Sequence, residues 1–121
     1  MSKFALLLNH SADRYEAIPE DEYMDIIKDY VSWVQTQVEK GIYVGGHKLQ
    51  TSAGKRLTKA PDGIDVVDAP STEIAEILGG IMIIDTKDMA AAVEVARSHP
   101  HFVHNQSLEI WPLDEAVDNE D

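Results

Sequence analysis

The chain has 121 residues, 44% hydrophobic and 26% charged, with a formal charge of -12 at pH 7. That length suits one domain with a single core, and the excess of 22 acidic over 10 basic residues repels phosphate backbones, which argues against a nucleic-acid partner. Cysteine is absent, so thiol chemistry is excluded, and no apolar run approaches the roughly 20 residues needed to span a bilayer.

The N-terminal Lys3-Phe4-Ala5-Leu6-Leu7-Leu8-Asn9 reads as a strand buried on both faces, ending where Asn9, His10 and Ser11 turn polar. Its apolar run is shorter than the roughly 7–15 residues of a signal-peptide core, and a cytoplasmic location is expected. From Pro19 to Lys40, Tyr23, Ile26, Ile27, Tyr30, Val31, Val34 and Val38 recur at three- and four-residue spacing. With Pro19 at the first turn and Gly41 as the C-terminal stop, this predicts a helix. Ile42 to Leu49 starts as a second strand whose Gly45-Gly46 suggests a bulge or a close approach. Residues 55–60 and 64–68 flank Pro61-Asp62-Gly63 and predict a hairpin. Asp68-Ala69-Pro70-Ser71-Thr72-Glu73 then suggests a rigid turn with a capped helical turn. Gly79-Gly80 leads into a buried strand, Gly80 to Asp85, and Thr86-Lys87-Asp88 starts a helix with Met89, Ala92, Val93 and Ala96 as its apolar stripe. Pro100 ends that helix, and Ser107-Leu108-Glu109-Ile110-Trp111 alternates as a half-exposed last strand.

The order β-α-β-(hairpin)-β-α-β predicts an α+β, ferredoxin-like antiparallel sheet with both helices on one face. The opposite face would be apolar and bare, so a back-to-back homodimer closing a dimeric α/β barrel is expected. Residues 1–113 form the expected domain, and the acidic run 114–121 reads as a solvated tail.

Several separated segments resemble a known family. Tyr43-Val44-Gly45-Gly46-His47-Lys48-Leu49-Gln50, Asp62 to Pro70, Glu73 to Gly80, His99-Pro100 and Ser107 to Pro112 are similar to the YCII-related family in its DGPF-type branch, in order and spacing from about Lys3 to Leu113. The resemblance implies a ferredoxin-like unit that pairs into a dimeric α/β barrel. It also implies a role that is largely uncharacterised: some relatives look like small-molecule enzymes, including a dehydrochlorinating lyase, and DGPF-type members are often encoded beside extracytoplasmic-function sigma factors. The signature Asp-Gly-Pro-Phe stands here as Asp68-Ala69-Pro70-Ser71, which implies a different pocket wall. Another branch resembles a His-Asp enzyme with its histidine on the first helix. Residues 19–40 contain no histidine, so that mechanism does not carry over.

The strongest candidate site combines His47 and Asp68 as an imidazole-carboxylate general base, with Glu73 projecting beside them. The plainer alternative makes Asp68 a turn cap and leaves His47 exposed. His99, His101 and His104 form an H-x-H-x-x-H cluster that could hold a metal, but the proline-broken segment points to a solvated loop and no metal is expected. His104 is the member expected to reach the cleft. His10 and Arg14 could supply the other rim, Arg14 for an anionic substrate, unless that loop simply faces water. No P-loop, dinucleotide fingerprint or nucleophile motif occurs, so no organic cofactor is expected. Two functional classes follow: a homodimeric small-molecule-binding protein that works as a cofactor-independent acid/base enzyme, or a non-enzymatic regulatory partner, for example of a sigma factor. A buried ligand-sized cavity would favour the first.

Overall fold

The computed structural model describes residues 2–11, 19–50, 53–69, 76–104 and 106–115. Among the described residues, six strands and two helices follow one another as β1 (Ser2–Ser11), α1 (Glu20–Glu39), β2 (Tyr43–Lys48), β3 (Gly54–Ala60), β4 (Gly63–Ala69), β5 (Glu76–Thr86), α2 (Met89–Arg97) and β6 (Ser107–Pro112), with a 3-10 turn at Pro100–Phe102. β2, β5, β1 and β6 form a four-stranded sheet in that spatial order, every neighbouring pair antiparallel. This is the ferredoxin-like α+β arrangement that the periodicity predicts.

The helices form and stop for local reasons. Three acidic residues, Glu20, Asp21 and Glu22, occupy the first turn of α1, where the helix dipole favours negative charge. At the other end Gly41 takes φ 73°, its N–H donates to the Val38 carbonyl at 3.0 Å, and the Ile42 N–H donates to the Gln37 carbonyl at 2.9 Å. This paired closure needs a left-handed residue, which glycine supplies without strain. α2 begins at Asp88, whose carboxylate accepts from the Ala91 N–H at 2.9 Å.

Alternation along the strands separates two faces. Phe4, Leu6 and Leu8 on β1, Met82 and Ile84 on β5, and Trp33, Ala92 and Ala96 from the helices form one buried cluster. The small Ala92 and Ala96 side chains give α2 its buried face. Cross-strand pairing puts Ala5 opposite Ile83 and Trp111, and Leu7 opposite Ile81, so these residues share the face away from the helices. Trp111 is 56% exposed there.

The expected hairpin is present, with Ala60 opposite Gly63. It forms a separate two-stranded sheet and does not extend the four-stranded one. Leu57, Ile64, Val66 and Val67 on it are all exposed. β5 begins at Glu76, four residues earlier than the pattern predicts, because the end of β1 extends far enough to pair Asn9 with Leu78 and Ser11 with Glu76.

Candidate functional site

The far end of the β1-β5 ladder is irregular, and the irregularity makes room for an imidazole. Register shifts between Leu8 and Asn9, and His10 beyond the shift is 5% exposed. A Cβ on Gly79 would collide with the His10 ring, standing 2.7 Å from Nε2, so glycine at 79 is what lets the ring lie against the strand. Gly46 plays the same part for a phenol. A Cβ there would come within 2.5 Å of the Tyr43 hydroxyl and 2.8 Å of the Ile81 carbonyl oxygen. Gly80 would bring a Cβ 3.2 Å from the His47 carbonyl oxygen, which is the close approach its glycine pair implies. Burial raises the Tyr43 pKa above the ordinary phenol value, so this hydroxyl keeps its proton.

α1 and the 3-10 turn supply the other wall. The Tyr30 hydroxyl bonds to His101 Nδ1, and His101 Nε2 bonds to the Asn9 carbonyl oxygen at 2.5 Å. Burial chiefly lowers the His101 pKa, with His10 and His104 adding to the effect and the Asn9 carbonyl opposing it. His101 is held in place through the backbone, because its N–H donates to His99 Nδ1 at 3.0 Å. His99 is 1% exposed, with the Trp33 ring 4.5 Å away and the Tyr30 ring edge-on at 5.3 Å. Burial first, and the neighbouring His101 second, push its pKa down to about 3, so His99 is neutral. Since Nδ1 accepts, the proton sits on Nε2.

These walls border a cavity of about 260 Å³ between α1 and the sheet, open to solvent on one side. His10, Tyr30, Tyr43 and His101 line it together with aliphatic side chains such as Leu8, Ile26 and Ile27. An apolar chamber with a few converging polar groups is the usual form of a small-molecule site.

Two of the expected site residues border this cavity. His10 lines it, and His47 lies at its margin, exposed on β2 opposite Ile81, a strand position on the face away from the helices. Asp68 does not line it: the carboxylate sits on the projecting hairpin, 88% exposed, 2.5 Å from Lys55 Nζ, and no hydrogen bond joins it to His47 among the described residues. Because β3 and β4 pair only with each other, Asp68 is not carried to the sheet's end, where the sequence places it. His104 is also not among the lining residues. It reaches α1 instead, with Nε2 3.2 Å from an Asp29 carboxylate oxygen and its ring stacked on Tyr30 at 6.2 Å. Arg14 and Glu73 lie outside the described residues.

The expected solvated histidine loop is corrected most strongly. His99 and His101 are both buried, because the 3-10 turn packs against α1 and His99 caps it from inside. Among the described residues, no three histidine, cysteine or carboxylate side chains are placed to hold a metal ion. Tyr30 and His101 line the cavity, a place that the sequence pattern assigns to neither. Tyr30 reads as one more apolar position of the helix stripe, and only its long-range partner gives it another role.

The YCII-related domain matches this chain over residues 3–114. No curated protein matches it.

Proposed function

Because the chain belongs to the YCII-related family, we propose that it is a small-molecule-binding protein of that family's DGPF-type branch, working on its ligand by acid/base chemistry without an organic cofactor. The observation that carries this reading is the cavity, in which buried imidazole and half-buried phenol groups face aliphatic walls. A purely regulatory partner has no need of such a chamber. Neutral His101 and protonated Tyr43 are groups that exchange or hold protons without a fixed charge. A thermal-shift screen of small apolar carbonyl and carboxyl compounds tests the reading. Occupancy at about 100 times Kd adds about 2.7 kcal/mol to stability, which raises the midpoint by several degrees. A screen in which no compound of that size moves the midpoint contradicts the reading.

The protein works as a homodimer in this account. Ala5, Leu7, Ile81, Ile83 and Trp111 share the sheet face that the helices leave bare, and an apolar patch of that kind is normally covered by a partner. Light scattering at micromolar concentration is expected to give twice the 13.4 kDa chain mass. A stable monomer under those conditions contradicts the pairing.

A further inference from the structure

We propose that Tyr30 is the proton-transferring group of the cavity, with His101 as the positioning residue that receives its proton, and that the ligand is a small carbonyl compound with an acidic C–H beside the carbonyl. The proposal rests on the reading of the cavity as a ligand site.

The hydrogen-bond directions follow from chemistry. The Asn9 carbonyl can only accept, so its 2.5 Å contact fixes the His101 proton on Nε2. Nδ1 then offers a lone pair and no proton, and the Tyr30 hydroxyl donates to it. A phenol that already donates to an imidazole has its oxygen polarised toward the phenolate. That oxygen takes up a proton as it releases its own, the arrangement by which a positioned histidine activates a hydroxyl. The Asn9 carbonyl fixes the tautomer, as the third member of such a chain does.

The other lining groups select the ligand. Among the described lining residues none is aspartate or glutamate, although acidic residues outnumber basic ones 22 to 10 in the chain. Lys48 borders the cavity from an exposed strand position, where its Nζ donates to the Leu49 carbonyl at 3.2 Å, and the remaining walls are aliphatic, aromatic and imidazole side chains, which suits a largely uncharged molecule. Tyr43 shares the cavity as a hydroxyl whose proton burial retains. It is suited to donate to a carbonyl oxygen that becomes negative during reaction.

The step balances without an added reactant. A ligand C–H bond breaks and its proton goes to the Tyr30 oxygen, while the Tyr30 proton moves to His101 Nδ1. The electron pair of the C–H bond forms a C=C bond, and the carbonyl π pair moves onto oxygen, which accepts from Tyr43. His101 becomes imidazolium with Nε2–H still on the Asn9 carbonyl. Running the transfers backward returns the proton to the same carbon, or to the far end of a conjugated system as an isomerisation.

The test follows exchange of the α-protons of phenylacetone for deuterium in D2O by proton NMR, with binding read separately by saturation transfer. Catalysed exchange above the buffer rate is expected for the native protein. Tyr30→Phe should lower that rate about 100-fold or more while leaving binding within about twofold, and Tyr43→Phe should lower it about 100-fold. Lys55→Ala, on the hairpin, should change neither. Nitrogen NMR of the labelled protein should show His101 protonated on Nε2. Binding without exchange, undiminished exchange in Tyr30→Phe, or a proton on His101 Nδ1 overturns the relay while leaving the ligand site standing. Failure of phenylacetone, cyclohexanone and acetophenone all to bind overturns both.

Discussion

Acidification from pH 6.5 to pH 4 is expected to remove roughly 3 kcal/mol of folding stability through His99 alone, at about 1.4 kcal/mol per pH unit. The folded-state pKa is pushed down to about 3 from 6.5, so in this window the unfolded chain binds a proton that the folded chain refuses. Stability therefore rises with pH across the window, is complete above 6.5, and is lost as pH falls toward 3. His101, also lowered by burial, adds in the same direction. Chemical denaturation at several pH values measures the slope. His99→Asn is the informative variant, since an asparagine oxygen can still accept the His101 N–H as a cap while the titrating ring is gone. Its slope should be smaller by about one proton. An unchanged slope in His99→Asn contradicts the buried, neutral assignment.

Trp33→Ala is expected to cost about 3–5 kcal/mol, the usual range for deleting a buried indole. Trp33 is 7% exposed within the main cluster, and its Nε1–H donates to the Ser98 hydroxyl at 2.9 Å, which in turn donates to the Val95 carbonyl. The loss also reaches the cavity. Trp33 packs on His99, His99 accepts the backbone N–H of His101, and His101 is the partner of Tyr30. Trp33→Phe keeps much of the volume and gives up the hydrogen bond, at about 1 kcal/mol. Urea unfolding of the two variants separates these effects. A Trp33→Ala cost below about 1 kcal/mol would place the indole outside the core.

Local pattern made most of the fold legible, because helix stripes and strand alternation are written at short range. The stripe from Tyr23 to Val38 corresponds to α1, and the Pro61-Asp62-Gly63 signal to the tip of the β3–β4 hairpin. The site was less legible because it depends on long-range partners. His99-Pro100-His101 has the look of a loop in water, and nothing nearby in sequence announces that Trp33 and Tyr30 will cover it. Tyr30 looks apolar until a histidine 71 positions away meets its hydroxyl. Asp68 failed to reach the cavity for a topological reason, since sequence shows that a hairpin forms but not whether it joins the sheet. The glycines fall between these cases. Gly45-Gly46 and Gly79-Gly80 signal close approach, but only the structure identifies the Tyr43 hydroxyl and the His10 ring as what approaches.

The most direct measurement of the central claim is a crystal structure of the protein with the compound that raises its midpoint most. That compound is expected between α1 and β5, against Tyr30, His10 and the Gly79-Gly80 backbone, with its polar atom within hydrogen-bond reach of a tyrosine hydroxyl. A compound seated on the hairpin or on the bare sheet face, with the cavity unchanged, contradicts it.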